Sequence, residues 1–387
     1  MLTLLLLAAV GAVAASPLLF RRQSSTYPAA GTVGPAPKPE WVATYNAAKA
    51  AGKIPNIAKS WLQDGNVVYP QGTDGQAVCS WTLTGCFGPN DIHEAPDGMY
   101  GVSFDDGPLA DSPTLYRFLQ ENNQTATHFF IGSNMLANPD IFAQALASGG
   151  HIGVHTFSHP YMTTLTDEHI LGELGWTAQI IHDLSGGLVP RYWRPPYGDA
   201  DKRVRAIAEE VFGLTLVAWN HDSDDWCLND GGGSSCGSSG PANLAALEHE
   251  ILGWINGGSS PGVIGLEHEL SAQAVSGFIN TYPRLDAERW DTRCIPDLFG
   301  QPWYQNAIKN GTPVVSNFPI GHGSTSLALT STSSSMHSPP PTPTPTAATA
   351  LSENTATSSP AAHSGASFLS CSFGLCALTV AATLALS

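Results

Sequence analysis

Beyond residue 98 the chain alternates between short apolar runs and longer stretches in which apolar residues recur every three or four positions. The runs 99–104, 127–131, 151–154, 192–193, 214–219 and 263–266 have the length and composition of buried strands. Between them lie amphipathic segments. Ser112 caps one, with Pro113 in its first turn and Leu115, Phe118 and Leu119 on its apolar face. Asn138-Pro139 opens a second that reaches Ala147. Helical spacing returns over 167–184, with Ile170, Leu174, Ala178 and Ile181 on one side, and again over 200–212, 242–255 and 271–282. Strand followed by helix, repeated, dictates parallel strands joined by right-handed crossovers. Fewer than eight clean units are present. The expected fold is therefore α/β, a distorted, incomplete (β/α) barrel over residues 98–320 with flexible N- and C-terminal extensions.

Upstream the pattern is looser. Residues 40–51 have helical spacing, with Trp41, Tyr45 and Ala48 aligned. Residues 56–97 read as irregular, and the whole of 40–97 as a segment that wraps the barrel. Residues 16–39 are rich in Ser, Pro, Ala and Gly and read as flexible, with a possible propeptide ending at Arg22. Residues 1–15 are apolar and end in small residues, as a secretory signal does. At the other end, 321–353 is a Ser/Thr/Pro-rich stalk that has no means of burying a core. Residues 354–387 combine small residues, a polar spacer and an apolar tail. That is the pattern of a glycolipid (GPI) attachment signal whose tail is removed, with Asn354 as the attachment residue.

Composition agrees with a secreted protein and excludes one class of partner. The 387 residues carry a formal charge of −16 with only 12% charged residues, which rules against nucleic-acid binding, since phosphates require Lys and Arg. Of seven cysteines, Cys371 and Cys376 lie in the tail. Cys227 and Cys236 flank a Gly/Ser loop and are expected to pair. One of Cys79 and Cys86 is expected to pair with Cys294, leaving one over. No Cys-x-x-Cys spacing supports a cysteine-built zinc site. Asn123 and Asn310 stand in glycosylation sequons.

Candidate chemistry is concentrated where strands end. Asp105 and Asp106 close the first strand before a Gly-Pro turn, at the strand tips where parallel-sheet proteins keep their sites. There one acid can hold a metal while the other takes a proton. His155 and His159 follow the third strand. Two histidines four apart converge on one ion if the chain coils once between them, and with a carboxylate they make a site that leaves positions open for water and substrate.

Five segments in order now carry a resemblance. Ser103-Phe104-Asp105-Asp106-Gly107-Pro108, His155-Thr156-Phe157-Ser158-His159, Arg194-Pro195-Pro196-Tyr197, Asp222-Ser223-Asp224-Asp225-Trp226 and Leu266-Glu267-His268 resemble the five motifs of polysaccharide deacetylases of carbohydrate esterase family four, most of all the GPI-anchored fungal chitin deacetylases. The resemblance covers roughly residues 99–282 and implies the same incomplete barrel. It implies one divalent ion, zinc or cobalt, on Asp106, His155 and His159. Asp105 would be the base that activates water and His268 the acid that protonates the leaving amine. Arg194 would orient Asp105, Asp222 would hydrogen-bond His268 and raise its pKa, and the backbone N–H of Tyr197 would bind the oxyanion. Trp226 and Leu266, with Tyr197, would enclose the acetyl group, and Trp81, Tyr161 and Trp303 are candidates to stack on sugar rings. The expected substrate is chitin or chito-oligosaccharide, which a monomer would convert to chitosan and acetate. Its expected location is the outer face of the plasma membrane, through the glycolipid anchor, or the cell wall. Acetylated xylan and peptidoglycan are the alternative substrates, and a non-catalytic chitin-binding wall protein is the alternative role.

Overall fold

The computed structural model describes residues 27–228 and 233–320. The expected signal segment, Arg22, the stalk, Asn354 and the apolar tail lie outside the described residues. Among the described residues no helix is long and apolar enough to cross a membrane.

A hairpin of β1 (Trp61–Gln63) and β2 (Asn66–Val68) stands apart from the main sheet, which is built from β3 (Met99–Gly101), β4 (Ser103–Asp105), β5 (Thr127–Phe130), β6 (His151–Val154), β7 (Tyr192–Trp193), β8 (Thr215–Leu216), β9 (His221–Asp222), β10 (Val263–His268) and β11 (Asp291–Arg293). Every pairing between these main-sheet strands is parallel, as strand–helix alternation requires. β3 and β4 are one extended stretch interrupted at Val102. β10 runs beside both in a single register, with Val263 opposite Tyr100 and His268 opposite Asp105. On the far edge β11 pairs with β3 and β5 with β4.

The sheet closes through one stretch that changes neighbours. β8 is bonded to β7, whereas β9, five residues on, is bonded to β10, with Leu266 opposite Asp222. The ring β4–β5–β6–β7–β8/β9–β10 is thus a barrel short of eight strands. Its seam is filled by the wrapping segment, where Ile92 donates to the Leu216 carbonyl and accepts from the Ala218 N–H. Residues 56–97, expected to be irregular, hold the hairpin and two short helices, α2 (Gly75–Val78) and α3 (Trp81–Thr84).

Side-chain caps open some of the outer helices and not others. The outer helices are α1 (Pro39–Ala50), α4 (Ser112–Glu121), α5 (Gly132–Ala137), α6 (Pro139–Ala147), α7 (Asp167–Leu184), α8 (Lys202–Phe212), α9 (Leu244–Asn256), α10 (Ala272–Ala287) and α11 (Ile295–Leu298). Ser112, expected to be a cap, is the first residue of α4, where the N-cap Asp111 makes no side-chain cap bond and the Ser112 hydroxyl accepts the Leu109 N–H instead. Thr166, Asp201, Asn243 and Ser271 each accept a backbone N–H from the first turn of α7, α8, α9 and α10. Their apolar faces and the strands make one core, in which Phe104, Phe129, Phe130, Val154, Trp193 and Ile264 are fully buried. Burying side chains of this size contributes about 1.5–3 kcal/mol each.

Residues 27–38 differ from the expected flexible arm. Tyr27 donates to Asp183, the Gly34 N–H to Glu173 and Lys38 to Gln179, all on α7. One glycine of α7 makes this approach possible, since a Cβ on Gly172 would lie 1.7 Å from the Pro35 carbonyl oxygen; Gly175 leaves room instead for the Trp41 ring of the helix that follows the arm. The arm is ordered because a helix face was kept bare for it.

The cysteines also differ from expectation in part. Cys227–Cys236 forms as expected, but Cys79 pairs with Cys86, and Cys294 is buried and free. Arg205 of α8 donates to the carbonyls of both Cys79 and Cys86 and holds that loop shut. Cys294 instead packs with Leu188, Trp303 and Tyr304. Both sequon asparagines are exposed, but the Asn310 amide is engaged, donating to Gly150 and accepting from Tyr304.

Candidate active site

Five strand ends meet at one rim of the barrel. Asp106, just past β4, has a left-handed backbone, φ 70°. That turn points its carboxylate toward the loop after β6, which carries His155 and His159. Asp106 Oδ1 lies 3.3 Å from His155 Nε2 and 3.2 Å from His159 Nε2, and the three ligand atoms fall within 4.8 Å of one another. Asp106 Oδ1 is buried and accepts no hydrogen bond. Burial alone would push the Asp106 carboxyl up, but His159 and then His155 outweigh it and hold the group well below the usual carboxylate range.

Both imidazoles are held from behind. His155 Nδ1–H donates to the Arg194 carbonyl at 2.7 Å, which leaves Nε2 with its lone pair facing Asp106. His159 Nδ1 lies 3.2 Å from the Tyr197 hydroxyl. Two ring nitrogens and an unpaired carboxylate oxygen converging on one point fit a divalent cation, and outward ring nitrogens anchored to neighbours are the usual support for such ligands.

Asp105 is on the same strand but is held differently. Ser103 and Asp105 alternate onto one face of β4, and the fully buried Arg194 reaches both. Nη1 donates to Asp105 Oδ1 at 2.8 Å and Nη2 to Ser103 Oγ at 3.0 Å. The guanidinium also donates to the Val217 and Ala218 carbonyls and lies 4.4 Å from the Phe129 ring centroid. Removing either member of this buried pair would leave an uncompensated charge, costing about 3–5 kcal/mol.

His268 stands across the ladder, in register with Asp105. Residues opposite each other on parallel strands project to the same side, so base and acid candidates face one opening. Asp225 grips His268 twice, accepting from the ring Nδ1 at 2.5 Å and from the backbone N–H at 2.7 Å. Burial pulls the imidazole pKa down; Asp225, and to a smaller extent Asp106 and Asp105, reverse this and push it up to about 10.

Residues 93–217 match the family model described as polysaccharide deacetylase. Over those residues the chain is similar to polysaccharide deacetylases. Chitin deacetylase 3 of Cryptococcus neoformans var. neoformans serotype D is 41% identical over 276 residues, which is 70% of this chain and 65% of the relative. The chitin deacetylase of Amylomyces rouxii is 40% identical over 223 residues, 54% of this chain and 52% of the relative. The chain thus spans less than two thirds of these curated relatives. The structure of the chitin deacetylase from Colletotrichum lindemuthianum aligns with 57% of this chain and 96% of that chain, at 21% identity and a TM-score of 0.48.

One expected contact at the site is wrong. Asp222 is exposed, and its Oδ1 accepts the Asp224 N–H. It is Asp225, three residues on in the same motif, that is 1% exposed and bonded to His268. β9 ends at Asp222, and the left-handed Asp224, φ 50°, turns the chain back beneath β10, so the second acid of Asp-x-x-Asp-Trp arrives at the histidine. Trp226 is 38% exposed beside it, while Leu266 is buried at 6%.

Tyr197 is left-handed as well, φ 58°, in a turn that leaves its ring 47% exposed and stacked on Tyr161 at 4.0 Å. Trp81 supports this turn from below. Its ring fills the space over Gly198, where a Cβ would come within 2.3 Å, and a φ of +68° favours glycine there too. Trp303, a candidate to stack on sugar, is instead 2% exposed and donates to Asp297.

Two glutamates had no assigned role. Glu269 is fully buried; Tyr116 donates to it at 2.6 Å, His128 Nδ1 lies 2.5 Å away, and its own N–H donates to the Asp105 carbonyl. Glu173 is fully buried in α7 and accepts from Phe157 and Ser158. Glu173 is the more legible of the two, because a charge between Ile170 and Leu174 on an apolar face needs partners.

Proposed function

We propose that this chain is a metal-dependent chitin deacetylase, hydrolysing the acetamide of N-acetylglucosamine residues to acetate and a free amine. The observation that carries this reading is the unpaired, buried Asp106 Oδ1 between two imidazole nitrogens, with Asp105 and His268 in register beside it. Asp106, His155 and His159 would hold one divalent ion, zinc or cobalt. When bound, it supplies a Lewis acid that lowers the pKa of water and polarises the acetamide carbonyl.

The remaining chemistry belongs to side chains. Asp105 takes a proton from the attacking water as the new C–O bond forms. Arg194 keeps that carboxylate aimed. The Tyr197 N–H stabilises the negative charge that develops on the carbonyl oxygen. His268 delivers its proton to the amide nitrogen as the C–N bond breaks, and Asp225 keeps the ring protonated and turned toward the leaving group. Trp226 and Leu266 bound the space for the acetyl methyl. Every group that the reaction requires is present, which weighs against a non-catalytic wall protein.

The relatives named as chitin deacetylases support the substrate, and an acidic surface tolerates a neutral polymer. Two disulfides support an oxidising, extracytoplasmic location; the sequence patterns of the two ends supply the basis for secretion and a glycolipid anchor. Acetate release from chito-oligosaccharides, acetylated xylan and peptidoglycan, measured side by side, tests the reading. Release from chito-oligosaccharides that a chelator abolishes supports it; release from xylan or peptidoglycan alone, or none from any, overturns it.

A further inference from the structure

The loop from His155 to His159 has a shape that the chain would not adopt unaided. Thr156 and His159 have φ of 64° and 61°, a region that residues with a side chain rarely occupy. Both twists are needed to bring His159 back beside His155. Inside the loop, Thr156 Oγ1 accepts the His159 N–H at 3.0 Å. From outside, α5 contributes the Gly132 and Ser133 N–H groups, which donate to the Thr156 and Phe157 carbonyls.

The remaining donors of the loop converge on one side chain. Glu173 Oε2 accepts the Phe157 N–H at 2.7 Å and the Ser158 N–H at 2.8 Å, and Oε1 accepts the Ser158 hydroxyl at 2.6 Å. Oε1 also accepts the Gly34 N–H of the N-terminal arm at 2.7 Å. The carboxylate is fully buried, and the arm that covers it lies against the bare Gly172 of the same helix. Two consecutive loop amides aimed at one anion fix the orientation of the peptide planes between the two histidines. A cap supplied by residues more than a hundred positions away fixes the anion in turn.

We propose that Glu173 is a positioning residue for the metal centre, and that the arm residue Gly34 completes it. Its carboxylate holds residues 157 and 158 so that His155 and His159 present Nε2 to the same point beside Asp106. This rests on the metal-centre reading above. Groups that orient ligands from behind change metal affinity when they are lost, whereas a residue that only packs a helix against a loop changes melting temperature alone.

The test uses the full chain, stripped by a chelator and titrated with zinc against a chromogenic competitor, as wild type, Glu173→Ala, Glu173→Gln and Ser158→Ala. Zinc affinity is expected to fall about 10- to 100-fold in Glu173→Ala, less in Glu173→Gln, and about threefold in Ser158→Ala, which loses one hydrogen bond. In the metal-free protein, the amides of Phe157 and Ser158 are expected to exchange with solvent faster in Glu173→Ala than in wild type. Unchanged zinc affinity in Glu173→Ala, whatever its melting temperature, overturns the proposal. If that variant does not fold, wild-type zinc affinity in Ser158→Ala overturns it. A wild-type protein that takes up neither zinc nor cobalt overturns the metal-centre reading and this inference with it.

Discussion

The two sides of the site are built by different means. The proposed metal side consists of Asp106, His155 and His159, all on loops, and two of the three have left-handed backbones. Its geometry is borrowed from elsewhere: Arg194 and Tyr197 fix the rings, and α5 and Glu173 fix the loop. The acid side consists of His268 at the end of β10, placed by strand register and gripped by Asp225. Their electrostatics are opposed as well. Asp106 is held well below the usual carboxylate range, while His268 is pushed up to about 10. A loop site assembled by hydrogen bonds can be adjusted to grip an ion. A strand site keeps the proton donor at a fixed distance from the base.

That contrast is open to being broken. The largest effect is expected from Asp106→Ala, which removes the shared ligand oxygen. Metal content by elemental analysis should fall to near zero, and acetate release by about 10⁴-fold or more, to the background of the assay. The domain should stay folded, because no strand pairing passes through this side chain. Metal retained at one equivalent in Asp106→Ala would mean that the ion is held elsewhere.

A smaller effect is expected on the acid side, with the opposite signature. Asp225→Asn should leave metal content unchanged and reduce acetate release at pH 8 by about 10²-fold. His268 has a folded pKa of about 10, above its ordinary 6.5. The stabilisation from its protonated form is therefore fully present below pH 6.5 and is lost as pH rises through about 10. Removing the Asp225 charge moves that loss toward neutral pH. The alkaline limb of the pH–rate profile should shift downward by more than one unit. An unshifted limb would show that Asp225 does not govern the acid.

Much of the scaffold was readable from residues alone, for a physical reason. Alternating strands and helices leave a parallel ring as the economical solution, but Ser112, read as a cap, lies inside its helix, and the caps that do form at Asp201, Asn243 and Ser271 went unread. Asp106, His155 and His159 were readable because each follows a strand that carries it to the same rim. What was hidden depends on contacts between distant elements. Strand alternation drew attention to Asp222, but the partner of His268 is decided by a left-handed turn at Asp224, which no periodicity reveals. Cys79 pairs with Cys86 because a short helix and Arg205 close that loop, a fact of tertiary packing. Glu173 was visible as a charge on an apolar helix face, yet its purpose lies in a loop and an arm that only folding brings to it. The arm looked flexible by composition, and is ordered because Gly172 on α7 makes room for it and Asp183, Glu173 and Gln179 bind it.

The most direct measurement pairs turnover with metal content in one variant. In Asp105→Asn the proposed base is lost, while Asp106, His155 and His159 are untouched. The account predicts one equivalent of bound zinc or cobalt together with acetate release from chito-oligosaccharides reduced by about 10²- to 10⁴-fold. Wild-type turnover by Asp105→Asn with the metal bound would contradict it.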